Sequence, residues 1–209
     1  MDELRVVGRK IKKSFSGRTI FSDVSFELAC HEGLGVVGKN GAGKSTLAKI
    51  VAALLSPTDG TIDVEVSGEK VAQWRRHEFV GFVAPYLQLY EEFSAWENLD
   101  IFRRIRGLPI SDKHILSLLE RVGLALWKAD TVRTYSSGMK QRLKYASALL
   151  HQPPLLILDE PRSNLDSEGI EIINEIMEQQ VDRGILVVAT NEKEDLQSCQ
   201  QIIDLEIYA

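Results

Sequence analysis

The sequence predicts an α/β fold: a core of parallel strands and helices, a stretch of antiparallel strands ahead of it, and a block of helices inserted into it. Three observations predict this. Leu34-Gly35-Val36-Val37 is a short apolar run suited to a buried strand, and it leads through a glycine loop at residues 38–46 (GKNGAGKST) into helical spacing at Leu47, Ile50, Val51 and Leu54. Two further apolar runs, Leu155-Leu156-Ile157-Leu158 and Ile185-Leu186-Val187-Val188-Ala189, read as strands covered on both faces, as parallel strands are. Residues 88–152 are helical in character, whereas residues 5–28 alternate apolar and polar side chains.

With 209 residues and 44% hydrophobic content the chain can bury a full core without a disulfide or a structural metal. One domain is expected, with residues 1–87 and 153–209 as its core and 88–152 as a helical subdomain. Cys30 and Cys199 lie outside any CxxC or Cys/His cluster and read as plain thiols of a reducing compartment. His31, His77, His114 and His151 share no ligand spacing. A net charge of −5 argues against broad nucleic-acid binding, and no nucleic-acid partner is expected. No apolar run approaches the roughly 20 residues of a membrane span, and MDELRVVGRK lacks the apolar stretch of a signal peptide. Any membrane role must therefore pass through a partner.

Taken in order, Val24, Phe26 and Leu28 alternate against Ser25 and Glu27 on strands that reverse at Ser16-Gly17-Arg18. Phe15 reads either as a strand core residue or as an exposed aromatic that stacks on a purine base, a contact of about 1–3 kcal/mol. Past the glycine loop and its helix, Ser56-Pro57-Thr58-Asp59-Gly60 is a turn, and Ile62, Val64 and Val66 alternate as a strand. Residues 79–83 form another, ended by Pro85. In the helical block, Ser111-Asp112 caps a helix carrying Ile115, Leu116, Leu119 and Val122, with Gly123 as its stop. Arg103-Arg104-Ile105-Arg106 reads as a solvated helix face. Ile170, Ile173, Ile176 and Met177 give a late helix one core-facing side, and apolar residues around 202–207 close the chain.

The glycine loop carries the pattern Gly, four residues, Gly-Lys-Ser, the known P-loop fingerprint. Its chemistry follows from the residue types. Gly38, Gly41 and Gly43 let the backbone approach a phosphate chain, so that the N–H groups from Asn40 through Ala42 to Thr46 serve it at a helix N-terminus. Lys44 reaches the β- and γ-phosphates, and the Ser45 hydroxyl is a Mg²⁺ ligand. Asp159 and Glu160 emerge at the C-terminal end of their strand, where α/β sheets place ligands. Two acids there can simply begin a loop; beside a P-loop, Asp159 suits Mg²⁺ and Glu160 suits a general base. Ser136-Ser137-Gly138 opens a helix and reads two ways, as an N-cap or as a second anion site.

Together these motifs resemble the nucleotide-binding subunit of an ATP-binding cassette (ABC) transporter, over essentially the whole chain. The family's Walker A matches residues 38–45 (GKNGAGKS), its Walker B residues 155–160 (LLILDE), its signature residues 136–142 (SSGMKQR), and its D-loop Ser163 to Asp166. The resemblance implies a RecA-like P-loop NTPase core, ATP and Mg²⁺ as cofactors, and ATP hydrolysis. It further implies a head-to-tail dimer, with a second copy or a related cassette, in which Ser136, Ser137, Gly138 and Asp166 face the partner's nucleotide. It also implies a separate membrane permease, which would place the subunit on the cytoplasmic face, with its groove around Gln88, Leu89, Tyr90 and Trp96 receiving a short permease helix. Phe15 falls where the family has its base-stacking aromatic. Tyr135, Ser137 and Met139 depart from the usual signature in the manner of compact exporter subunits, the haem-exporter type among them. Pro85 stands in the place of the Q-loop glutamine, leaving Gln88 to replace it at Mg²⁺, and Asn191 stands in the place of the switch histidine. A soluble ABC ATPase of an assembly or remodelling complex is the alternative function.

Overall fold

The computed structural model describes residues 4–209. Its first strands, β1 (Leu4–Phe15) and β2 (Arg18–Ala29), form an antiparallel hairpin that turns at Ser16-Gly17. The strand β4 (Asp59–Val66) adds to the other side of β1, and the short β5 (Glu69–Lys70) adds to β4, giving the order β2-β1-β4-β5. Alternation sets which side is covered: Val24, Phe26 and Leu28 are buried, as are Ile62 and Val64.

The second sheet is wholly parallel and contains β3 (Gly33–Val37), β6 (Val80–Val83), β7 (Leu155–Asp159), β8 (Ile185–Ala189) and β9 (Gln201–Asp204) in the order β6-β7-β8-β3-β9. Every residue of β7 and β8 is buried, as expected of strands covered on both faces. Their side chains divide by the period of two. Leu155, Ile157, Ile185 and Val187 point to one core, shared with the antiparallel sheet and with helix α1 (Lys44–Val51). Leu156, Leu158, Leu186 and Val188 point to the other, filled by α2 (Ala95–Ile105), α3 (Asp112–Arg121), α4 (Ser137–Leu149) and α5 (Ser167–Val181). The helical block thus has no separate core; it shares one with α5 and the back of the parallel sheet.

Three sequence expectations are corrected. Helix α1 ends at Val51 rather than running on: Ala53 takes a left-handed conformation (φ 59°), and Leu54 is exposed. The arginine run is not a plain solvated face. Arg103 pairs with Asp100 and Asp112, and Arg106 turns inward to His151 and the His77 carbonyl, so only Arg104 stays largely in solvent. Trp96 is half-buried against the helical core and is not among the residues that line the groove of Leu87, Gln88 and Leu89.

Candidate active site

Strand β3 delivers the chain into the P-loop, where Gly38, Gly41 and Gly43 all adopt positive φ (137°, 89° and 104°). A side chain at Gly43 would in addition meet Ile20 Cγ2 at 2.7 Å. Helix α1 then starts without a side-chain cap. The other four α-helices are all capped: Ser94, Ser111, Ser136 and Asp166 accept from the N–H groups of Glu97, His114, Met139 and Gly169. Among the described residues no acceptor meets the N–H groups of Asn40, Gly41, Gly43, Lys44, Ser45 and Thr46. Orphan donors at the positive end of a helix are what an anion requires. The Lys44 ammonium folds back over this cradle and donates to the Gly38 carbonyl at 2.8 Å. A triphosphate fits this donor set.

The Ser45 hydroxyl donates to Asp159 Oδ1 at 2.9 Å, joining the first turn of α1 to the end of β7. Burial raises the Asp159 pKa, against the pull of Ser45, Lys49 and Lys44. No cluster of three metal-binding side chains occurs among the described residues. A hydroxyl and one carboxylate, the rest left to phosphate and water, suits Mg²⁺. Glu160 follows in a left-handed conformation (φ 51°), held by its N–H bond to the Ala189 carbonyl at 2.8 Å. That conformation costs roughly 1–2 kcal/mol in a residue with a side chain, and such strain concentrates at functional positions. Burial also raises the Glu160 carboxyl, with Lys44 opposing.

Asn191, just beyond β8, donates to Asn40 Oδ1 of the P-loop at 2.7 Å. Behind it Thr190 hydrogen-bonds the buried Asp195, which pairs with Arg162 at 2.8 Å. That pair ties the loop after β7 to the loop after β8, and no local pattern announces it beyond the charges themselves. A second group missed by the sequence is Tyr86. The Lys49 ammonium sits 4.2 Å from its ring centroid, and burial and then the Asp159 charge raise the pKa of its phenol.

Gln88 does not reach this cluster. It lines a groove with Leu87, Leu89 and Lys144 and makes no hydrogen bond to Ser45 or Asp159. Phe15 is 46% exposed, with the Lys13 ammonium 4.8 Å from its ring, which removes the core alternative. Ser136 is occupied as the cap of α4, with Ser137 the first helical residue. Gly138 is buried beside the Asn164 carbonyl, and Asp166 caps α5. Ser136 borders an open depression with Trp127, Thr131, Tyr135 and Met139, none of them a P-loop residue. Within one chain the signature and the P-loop are therefore not brought into one pocket.

The ABC transporter family model matches residues 21–163. The lantibiotic transport ATP-binding protein SrtF of Streptococcus pyogenes is 36% identical over 185 residues, covering 88% of this chain and 78% of that protein. An uncharacterized ABC transporter ATP-binding protein of Bacillus subtilis, YybJ, is 33% identical over 94% of this chain and 88% of its own. The cytochrome c biogenesis ATP-binding export protein CcmA of Mannheimia succiniciproducens is 30% identical, covering 91% and 89%. Among solved structures, an ATP-binding subunit of an ABC transporter superposes with a TM-score of 0.82 at 25% identity, covering 95% of this chain and 85% of that one. The relatives span several kinds of transport, so the likeness is to the family broadly and not to its haem-exporter type. Among the described residues no helix is long and apolar enough to cross a membrane. With the orphaned N–H cradle, the Ser45–Asp159 pair and Glu160 in place, the chain belongs to the ABC transporter family, as one of its ATP-binding, ATP-hydrolysing subunits.

Proposed function

We propose that this subunit couples ATP hydrolysis to a separate membrane permease, working on the cytoplasmic face as a head-to-tail dimer with a second copy or a related cassette, in the direction of export. The observation that carries the ATP chemistry is the uncapped start of α1, with its unused N–H donors beside Lys44. Lys44 leaves the Gly38 carbonyl for the phosphate chain, where its charge offsets the charge that grows as the γ-phosphoryl group departs. Glu160 accepts the proton of the attacking water, for which a raised carboxyl is the better base. Asn191 presents its amide beside the P-loop and supplies one further donor. Ser45 and Asp159 hold Mg²⁺, which when bound screens the phosphate oxygens.

Dimerisation is supported by what one chain leaves incomplete. Residues 136–138 are exposed at Ser136 and Ser137 and serve no phosphate of their own chain. Residues 88–152 act as a subdomain that presents them. Phe15, exposed on its hairpin, stacks on the adenine, and Asp166 adjoins the interface. The relatives named for lantibiotic transport, linearmycin resistance and bacitracin transport, and the one named a cytochrome c biogenesis export protein, support the reading of export. The permease is received by the apolar groove of Leu87, Leu89, Phe82, Phe102 and Ala148, next to exposed Tyr90. Cysteines at Gln88 and Tyr90 are expected to crosslink to the membrane protein encoded beside this chain. An active complex that yields no crosslink from either position excludes this surface.

A further inference from the structure

We propose that Arg162 and Asp195 are positioning residues: their buried ion pair aims the Thr190 hydroxyl, and through it sets the Asn191 amide against the P-loop. The inference rests on the ATPase reading above, in which Asn191 supplies a donor, and adds to it what holds that donor in place. The parallel sheet fixes the two chain segments only as far as Asp159 and Ala189, the last residues in register between β7 and β8. Thr190 is still tied to β3, through its N–H bond to the Val36 carbonyl at 3.1 Å. Asn191 is exposed, and its amide is aimed by its neighbours.

Those neighbours form a series of contacts that begins in the loop after β7. Arg162, two residues past Glu160, donates from Nη2 to Asn174 Oδ1 of α5 at 2.9 Å and to the Glu194 carbonyl at 3.1 Å. Its Nε lies 2.8 Å from Asp195 Oδ1; both atoms are buried and make no aligned hydrogen bond, so charge is what holds them together. The other oxygen, Asp195 Oδ2, accepts from the Thr190 hydroxyl, which in turn accepts from the Glu192 N–H at 3.0 Å. The turn closed in this way has Asn191 at its apex. Thr190 and Asp195 are buried, where a polar group without its partner is costly, so the hydroxyl keeps one orientation. A well-packed apolar pair often serves stability as well as a buried ion pair does; what the ion pair adds here is direction.

The test removes the charge and the hydroxyl separately. Asp195→Asn keeps the shape and takes the charge from the pair. Thr190→Val keeps the shape and takes the hydroxyl, and it carries the test if Asp195→Asn does not fold. Hydrolysis is read in a single turnover at saturating Mg·ATP, and Mg·ATP affinity by calorimetry. Each variant should slow hydrolysis roughly three- to ten-fold, no more than Asn191→Ala does, with the Kd changed less than about two-fold. Thr190→Ser, which restores the hydroxyl, should match the parent. In an Asn191→Ala background the same substitutions should cost nothing further, because the amide they aim is gone, whereas a general loosening of the fold would slow both backgrounds alike. Parent rates in Thr190→Val, or equal slowing with and without Asn191→Ala, overturn the proposal. A parent that hydrolyses no ATP overturns the ATPase reading, and this inference with it.

Discussion

Two helices of this chain begin on small, glycine- and serine-bearing loops, and they begin in opposite conditions. Helix α1 starts at Gly43 with no side-chain cap and a run of N–H groups without acceptors, beside a lysine bonded only to its own loop. Helix α4 starts at Ser136, whose hydroxyl already accepts from the Met139 N–H. An N-cap of this kind contributes about 1 kcal/mol, and the chain supplies it at every α-helix except the one that follows the P-loop. The missing cap marks where a phosphate is meant to complete the structure. The filled cap marks an end that is stable alone and can meet an anion from a second chain only with its remaining donors. One end is incomplete within the chain and the other is complete.

The largest effect belongs to the uncapped end. Lys44→Ala leaves the orphan N–H groups but removes the ammonium bonded to the Gly38 and Lys39 carbonyls of the loop. Charge-assisted hydrogen bonds are worth about 1.5–3 kcal/mol each, so ATP affinity should fall by roughly 10²-fold and hydrolysis should be lost. Calorimetric titration with Mg·ATP checks the first and phosphate release the second. An unchanged ATPase rate would break the comparison at its stronger side.

Next comes Glu160, the general base of the proposed mechanism. Loss of a general base lowers rates by roughly 10²–10⁴-fold. Glu160→Gln should therefore hold ATP without turning it over and accumulate a two-subunit species on size exclusion with Mg·ATP. Adding Ser136→Arg should return that species to monomer by crowding the partner's phosphate. In the parent, burial raises the Glu160 carboxyl, so the rate should fall with acid at a pH above the ordinary glutamate range as the base takes up its proton. A monomer at saturating ATP in the Glu160→Gln protein would mean that the α4 end meets no partner.

A third test asks whether α4 is anchored at its far end. His151, just past α4, accepts from Arg106 at Nδ1 (3.0 Å), which leaves Nε2 to donate to the Val80 carbonyl (3.1 Å). Burial and then Arg106 push its pKa down to about 4. The unfolded chain, with histidine near its usual 6.5, binds that proton first, so stability is present above pH 6.5 and falls as pH drops towards 4. Between pH 7.5 and 4.5 the parent should lose about 2 kcal/mol more than His151→Gln in urea melts. Equal losses would mean that His151 is protonated at no cost and anchors nothing.

Asn191 gives a smaller effect. A donor lost from a hydrolytic site costs about 10²–10³ in rate, and a neutral amide should supply less than that. Asn191→Ala should slow single-turnover hydrolysis about 10-fold, Asn191→His should match or exceed the parent, and ATP affinity should stay nearly constant. Parent-like hydrolysis by Asn191→Ala would leave its bond to Asn40 a purely structural contact.

What the sequence made legible divides along the same line. The P-loop, the strand ending in Asp159-Glu160 and the caps at Ser111 and Ser136 are local patterns, and local sterics and hydrogen bonding decide them. Asn191 could be aimed at the site because it ends a buried strand. Its actual partner, Asn40, lies 151 residues away, and no local pattern reports such a contact. Tyr86 was hidden for a related reason. Counting along the loop suggested Gln88, but β6 ends at Val83 and the turn after it sets Tyr86 under Lys49 of α1 and Gln88 in the groove. Leu54 misled because its spacing continues a helix that a left-handed Ala53 has already ended.

The smallest expected effect sharpens the comparison most, because stability and function should move in opposite directions. Ser136→Asp keeps a good N-cap for α4, and its carboxylate faces the positive end of the helix, where a negative charge contributes about 0.3–1 kcal/mol. The fold should therefore be as stable as the parent or slightly more so, a rise of a degree or two in Tm. The same carboxylate fills the end that a partner's γ-phosphate would approach, and two anions would then compete for the remaining N–H donors of Ser137 and Gly138. ATP binding to the P-loop of the same chain should be untouched, since Ser136 shares no pocket with it. Dimer formation in a Glu160→Gln background should nevertheless be lost. Ser136→Ala is the control: it removes the cap, costs about 1 kcal/mol of stability, and adds no charge, so the dimer should persist. If Ser136→Asp dimerises with ATP as well as the Glu160→Gln parent does, the α4 end is an ordinary helix cap, and the difference between the two helix starts has no bearing on how two chains meet.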